Sequence, residues 1–330
     1  MRRGTIVFLV INLIIIGFLV HACSSLIALL FTDGAEDAIH RAEIPAPGSN
    51  STDDKMQLIP KIIHQTYINE SIPVRWKAGQ QSCIDLHEDY EYILWTDAKS
   101  REFIATEYPW ALANFDSYNF PIQRADAIRY FVLAHYGGVY IDLDDGCNRR
   151  LDPLLSYPAW VRRTLPTGIS NDAMGSVPKH PFFMRTIESL ASYNRAWGMP
   201  YITVMYSTGP LFLSVLWIEY MREHRPFSEH LRILMPDEYK GFPWSFFNIS
   251  KGNSWHGKDA QTIFWMGKHW LLLTVIGFAT AFLVGGALWW VWTSLLGGKR
   301  TSGGRSRMSF WRRVSGKDRY ELVDRSDRMA

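Results

Sequence analysis

Tyr136-Gly-Gly-Val-Tyr-Ile-Asp-Leu-Asp-Asp145 is the stretch on which the fold turns. Val139, Tyr140 and Ile141 form a short unbroken run of the kind a strand buried on both faces requires. Gly137 and Gly138 supply the backbone freedom that ends a helix, and residues 121–136 read as that helix, opened by Pro121 at its first position. A helix feeding a buried strand is half of an α/β unit, and such sheets bind ligands at the carboxyl ends of their strands. Asp142 and Asp144 fall at that end. Strand alternation would turn both carboxylates to one side, where they repel unless a cation bridges them. Hard oxygen donors of this kind suit Mn²⁺ or Mg²⁺. Two other acidic-loop chemistries fail locally. A calcium loop needs Gly at its sixth position, where Cys147 stands. An aspartate-based phosphatase needs Thr or Val two places after its second Asp, where Gly146 stands.

Outward from this motif, residues 59–67 and 90–95 read as β runs and residues 74–86 as a helix between them. Strands alternating with helices predict an α/β domain with a mostly parallel central sheet over residues 58–269. Asp126 and Arg129 lie three apart in the 121–136 helix and so share one face. As a surface ion pair they would contribute about 0.2–0.5 kcal/mol. Placed just ahead of the acidic strand, they also suit ligand binding, the carboxylate accepting from hydroxyls and the guanidinium donating to oxygen.

Charge is distributed by position more than by amount. The net of +3 over 330 residues hides ten basic against four acidic residues after Gly298, with Arg2 and Arg3 at the other end. Residues 4–32 and 270–298 contain no Asp, Glu, Lys or Arg, and each is long enough to cross a bilayer core. The organisation expected is therefore a cytosolic N-terminus and transmembrane helix over 1–32, a luminal stalk over 33–57, the α/β domain over 58–269, a second transmembrane helix over 270–298 and a basic, disordered cytosolic tail over 299–330. Basic residues outside both spans place both termini in the cytosol and the domain in the lumen. The first stretch is longer than a cleaved signal peptide needs and lacks a small-residue cleavage site. Sequons at Asn50, Asn69 and Asn248 are compatible with that address. Cys83 and Cys147 would share the oxidising compartment, and their number leaves pairing open. Phe242, Trp244, Phe246 and Phe247 suit either an interfacial loop or ordinary core packing. Nothing in this charge pattern points to nucleic acid.

Ile59-Pro-Lys-Ile-Ile-His-Gln-Thr66, Leu94-Trp-Thr-Asp97, Arg124-Ala-Asp-Ala-Ile-Arg-Tyr130 and Gly137-Gly-Val-Tyr-Ile-Asp-Leu-Asp144 together resemble glycosyltransferase family thirty-two. The resemblance continues through residues 170–182, 207–210 and 254–257 and covers about two-thirds of the chain. It implies a GT-A fold, a D-x-D metal site binding Mn²⁺ (or Mg²⁺), and transfer with retained anomeric configuration. The second span and basic tail resemble those family members that move mannose from GDP-mannose to inositol phosphorylceramide in the Golgi membrane, alongside a regulatory membrane subunit. An N-glycan mannosyltransferase shares the motifs, but a glycoprotein acceptor needs no second tether. A non-catalytic membrane scaffold is the reading from another class, and Asp142→Ala would leave it intact. Residue by residue, the resemblance makes Asp142 and Asp144 the D-x-D pair and His256 a late third metal ligand. His64 and Gln65 would border the nucleotide, and Asp126 and Arg129 would grip the donor sugar. Asn171 and Asp172 would lie beneath the reacting sugar, Asp172 orienting it rather than attacking it.

Overall fold

The computed structural model describes residues 3–46, 55–250 and 257–296. They form two compact units, divided between Ile263 and Phe264. In the first, helices α1 (Arg3–Ala22) and α2 (Ser24–Leu29) precede strand β1 (Ile62–Thr66). Then follow α3 (Val74–Leu86), β2 (Glu91–Trp95), α4 (Asp97–Glu107), α5 (Pro109–Asp116), α6 (Pro121–Tyr136), β3 (Gly138–Ile141) and β4 (Asp145–Cys147). Strands β5 (Ala159–Arg163) and β6 (Ile169–Ser176) make a hairpin, succeeded by α7 (Pro181–Tyr193), α8 (Pro200–Ser207) and α9 (Pro210–Met221). Strand β7 (Leu231–Leu234), α10 (Pro236–Tyr239) and β8 (Phe247–Ile249) complete the first unit's order, and α11 (Lys258–Lys268) runs across the division. The second unit holds α12 (Trp270–Leu296).

Six strands form one sheet in the order β2-β1-β3-β6-β5-β7, with β6 alone antiparallel to its neighbours. The expected α/β architecture, a mostly parallel GT-A-like sheet, is thus present. Both faces are covered. Tyr140, Val161 and Met174 enter a core with α6, α7 and α9, whereas Val139, Ile141 and Ala173 enter another with Leu151, Leu154 and Phe246. Burial on both sides is why β3 reads as an uninterrupted run. The carboxyl ends of β1, β2, β3, β5 and β7 meet the amino end of β6 along one edge.

Helix α6 begins and ends where its proline and paired glycines place it. Gly137 and Gly138 have φ of +69° and +88°, and a Cβ on either would come within 2.7 Å of a backbone carbonyl oxygen. Only glycine fits both demands. Cys83 and Cys147 are disulfide-bonded, joining α3 to β4.

Two expectations change. The first apolar stretch is not one span. Helix α1 is 20 residues, about 30 Å at 1.5 Å per residue, and stops at Ala22. After Cys23, α2 packs on α9 with Leu29 buried in the main core. The expected stalk is structured over residues 33–46, and residues 47–54 lie outside the described residues. Ala38 bridges to Ile233, Ile39 donates its N–H to the Ile233 carbonyl (2.8 Å), and Ile39 and Ile44 are buried. Two isoleucines in a polar segment give it an inner face and cover the exposed edge of β7. Of the aromatic segment, which suited either loop or core, Phe246 and Phe247 are core residues, Trp244 is half-buried against Phe242 and the Arg41 guanidinium, and Phe242 is 40% exposed.

Residues 200–221 are apolar enough to cross a membrane but are mostly buried as α8 and α9. In the second unit, α12 carries 27 residues free of charge, with none of its described side chains buried. At about 40 Å it exceeds the hydrocarbon thickness of a bilayer.

His64 shows how a strand residue fixes the frame. Its Nε2–H donates to the Gly137 carbonyl (2.9 Å), while Nδ1 accepts from the Trp95 indole N–H (3.1 Å). Accepting at Nδ1 while donating from Nε2 requires the neutral ring. Burial pushes its pKa down to about 4, against the hydrogen bond to Gly137. Burial likewise lowers His87, and takes His180 to about 4. At these histidines the unfolded chain binds more protons than the native one between pH 6.5 and about 4, whereas carboxylates raised by burial work the other way. The histidine contribution to stability is full above pH 6.5 and is lost as the pH drops through that window. The urea midpoint of the wild type relative to His64→Gln should therefore fall from pH 7 to pH 4.5. A difference independent of pH would contradict the assignment.

Candidate functional site

The site is built at the sheet edge where β3 ends. Strand β3 stops at Ile141, and residues 142–144 turn into β4, with the Asp145 N–H donating to the Asp142 carbonyl (3.0 Å). Asp142 and Asp144 therefore lie on a turn, and strand alternation does not set their directions. What fixes Asp142 is the last rung of the ladder to β6, its N–H donating to the Asp172 carbonyl (2.7 Å). The Asp144 carbonyl accepts both the N–H and the hydroxyl of Ser250 at 2.8 Å.

A buried guanidinium organises the carboxylates. Arg129 donates from Nη1 to Asp142 Oδ1 (3.0 Å) and to the Asn171 carbonyl (2.8 Å). Its Nη2 meets Asp126 Oδ1 (3.2 Å), its Nε reaches the Ala125 carbonyl, and its plane lies 4.6 Å from the Tyr140 ring centroid. The Tyr140 hydroxyl donates to Asp142 Oδ1 (2.7 Å). Asp126 also accepts from the Asn171 side-chain amide (3.0 Å) and the Thr208 hydroxyl (3.1 Å). Asp126 and Arg129 are 4% and 3% exposed, so they face the protein interior. Asn171, also buried, donates to both Asp126 and the Tyr130 oxygen. Asp142 is different, with 28% of its side chain open.

Asp172, beside Asp142, has 30% of its side chain open. Its Oδ1 accepts the Ala173 N–H (2.8 Å), and its Oδ2 pairs with Arg162 Nη2 (3.3 Å). Arg162 is buried, pairs also with Asp145, and stacks 4.2 Å from the Tyr239 ring centroid. Desolvation raises the Asp142 pKa to about 7, with the Asp144 and Asp172 charges adding to it and Arg129 opposing. Desolvation also raises Asp144, and the Asp172 charge adds to that rise. Carboxylates crowded at an edge in this way are a donor set that a hard divalent cation relieves. Among the described residues no three His, Cys, Asp or Glu side chains converge on an ion, and His256 lies outside the described residues.

His64 and Gln65 are fully buried. At the carboxyl end of β1, half-buried Thr66 lines a cavity of about 470 Å³ together with Asp97, Ser100, Arg124, Ala125 and Ile128. The β1–β3 register pairs His64 with Tyr140, so Thr66 lies level with Asp142. Sequence reasoning missed Tyr140 and Arg162. Arg162 could have been found as a cation inside a strand that is otherwise buried throughout.

An acidic turn at the carboxyl edge of such a sheet fits a D-x-D glycosyltransferase. Residues 73–160 match the family model described as a glycosyltransferase sugar-binding region containing DXD motif. Mannosyl phosphorylinositol ceramide synthase SUR1 of Saccharomyces cerevisiae is 50% identical over 284 residues, covering 86% of this chain and 73% of its own. Mannosyl phosphorylinositol ceramide synthase CSH1 of the same yeast is 51% identical over 288 residues, covering 86% and 77%. Inositol phosphoceramide mannosyltransferase 2 of Schizosaccharomyces pombe is 55% identical over 230 residues, covering 69% and 67%. Among solved structures, the PaToxG glycosyltransferase overlaps 50% of this chain and 70% of its own at 18% identity, with a TM-score of 0.41. The chain belongs to the family of these mannosyl phosphorylinositol ceramide synthases and is a glycosyltransferase.

Removing Arg129 alone would strand two carboxylates against a buried wall. Arg129→Ala should lower unfolding stability by about 3–5 kcal/mol. Arg129→Lys should recover only part of that loss, because an ammonium cannot reproduce the fork. Chemical denaturation of the three proteins checks both expectations.

Proposed function

We propose that the chain transfers mannose from GDP-mannose to inositol phosphorylceramide, with its catalytic domain in the lumen of the Golgi. The observation that carries this reading is the Asp142–Asp144 turn, locked to Arg129 and Asp172, in a chain half identical to enzymes named for that reaction. The nucleotide occupies the cleft at Thr66 and Arg124, and its diphosphate lies toward the acidic turn. Mn²⁺ or Mg²⁺ held by Asp142 and Asp144, with His256 as a further ligand, would neutralise charge on the diphosphate.

Protein groups supply position and orientation. Arg129 and Tyr140 hold Asp142, and Asp126 and Asn171 hold Arg129, so their contribution to sugar binding passes through Asp142. Arg162 turns Asp172 toward the sugar, where it accepts a hydroxyl hydrogen bond. The acceptor hydroxyl attacks the anomeric carbon from the face that the diphosphate leaves. One C–O bond forms, the C–O bond to phosphate breaks, and the proton moves to the departing phosphate oxygen. Catalysis by positioning and charge stabilisation suits this front-face transfer.

The luminal address is supported by the disulfide, by exposed Asn69 and Asn248, and by basic residues outside both apolar helices. A regulatory membrane subunit would complete the enzyme.

Membranes containing the wild-type protein, and that subunit, should convert labelled GDP-mannose and inositol phosphorylceramide into a mannosylated lipid. Chelation should abolish the product, and Asp144→Ala should reduce it by about 10²–10³-fold. Turnover that ignores both changes would end this reading. Slow-substrate trapping followed by peptide mass analysis should find Asp172 unmodified. A mannosylated Asp172 peptide would replace front-face transfer with a covalent intermediate.

A further inference from the structure

The β5–β6 hairpin runs past the active-site edge. Asp172 meets Asp142 at the last rung, yet β6 and its turn continue back through Asn171, Ser170 and Ile169 to Gly168. Four residues at 3.3 Å each carry the hairpin about 13 Å beyond the carboxylates. Its tip is tied to the exit of the N-terminal anchor. The Thr167 hydroxyl donates to the Leu29 carbonyl. Arg163, itself buried, donates from Nε to the Asp33 carbonyl (2.7 Å) and from Nη2 to the Thr32 carbonyl (3.4 Å). The same guanidinium closes the turn from inside through the Thr164 carbonyl (2.8 Å) and the Gly168 carbonyl.

On this well-held backbone stand three large apolar side chains that the core does not cover. Leu30 is 71% exposed, Phe31 84% and Leu165 66%. Single exposed apolar residues are ordinary, but these three flank one junction. Only Cys23 separates α2 from α1, and the six residues of α2 extend about 9 Å. That is comparable with the depth of a headgroup layer.

We propose that Leu30, Phe31 and Leu165 form a membrane-seating edge. It enters the bilayer beside α1 and brings the headgroup of a lipid-borne acceptor to the Asp142–Asp172 end of the sheet. The proposal rests on reading α1 as a membrane span, and the occupant it names is the lipid surface continuous with that span. The hairpin is then a spacer. Its tip lies among lipid, and the catalytic carboxylates stand at headgroup height above it.

The test uses full-length protein in liposomes, with Cys23→Ser as background and a nitroxide on Leu165→Cys or Phe31→Cys. Greater relaxation by lipid-soluble oxygen than by a water-soluble nickel chelate is the expected result. Greater relaxation by nickel, or shielding from both by a protein neighbour, overturns the proposal. Neither arm needs turnover, so a wild-type protein that transferred no mannose but showed lipid-exposed labels would remove the acceptor assignment and keep the seat. In an activity arm, the triple variant Leu30→Ser, Phe31→Ser, Leu165→Ser should lose roughly tenfold or more of its transfer to bilayer-embedded acceptor. Donor hydrolysis and transfer to a short-chain, water-soluble acceptor should stay at wild-type rates. Equal losses on both acceptors, with an unchanged melting temperature, would count against the seat.

Discussion

The guanidinium of Arg129 stands where a helix, a turn and a reversed strand meet, and each of those elements is pinned through it. Asp126 belongs to α6, Asp142 to the turn after β3, and the Asn171 carbonyl to β6. A cation so fully removed from water is tolerated because its donors find oxygen partners and its face rests on Tyr140. Its planar fork also imposes a distance between those oxygens that a flexible ammonium would not. The position of the open carboxylate is therefore inherited from a buried one. Asp126 has no surface of its own, yet it sets where Asp142 is presented.

The reversal of β6 gives this arrangement its second half. A strand running with its neighbours would bring its carboxyl end to the edge, whereas β6 brings Asn171 and Asp172 near its beginning. Arg162, on the adjacent β5, then pairs with Asp172 across the hairpin and with Asp145 beyond the turn. On the far side of that turn, the Cys83–Cys147 bond holds β4 to α3. Gly79 and Gly146 approach there so closely that a Cβ on Gly146 would lie 3.2 Å from the Gly79 Cα. The acidic turn is thus braced by rungs, ions and a covalent bond, the kind of support a site needs to keep sub-ångström geometry.

Much of this could be read from residue order, and the failures have specific causes. Pro121 and Gly137–Gly138 fixed the limits of α6 because proline and glycine act locally, whatever the tertiary surroundings. The acidic pair was found at the right edge by a partly mistaken route, since β3 ends one residue before alternation could apply. Asp126 and Arg129 were assigned to one helical face correctly, but periodicity cannot say what lies over that face when Ala127 to Ala134 are buried all round. The 33–46 segment looked like a tether because its composition is polar. Ile39 and Ile44, two residues in fourteen, were enough to give it a place in the core. Cysteine number alone could not decide the disulfide, which depends on α3 and β4 being adjacent. His64 and Gln65 sit in a shared motif, yet their burial shows that a motif can mark the scaffold behind a cleft as readily as its lining.

The single residue between α1 and α2 has a kinetic consequence. A catalytic domain on a long flexible leash samples many heights and tilts above a membrane, and most encounters with a lipid are unproductive. Here Leu29 locks α2 into the core and Cys23 alone links α2 to α1, so little slack remains for tumbling. With α1 in a bilayer, the remaining freedoms are spin about the membrane normal and drift within its plane. The search for a lipid partner becomes two-dimensional, and orientation is settled before any collision occurs. Of the two reactants, only the nucleotide sugar must then be captured from three-dimensional solution.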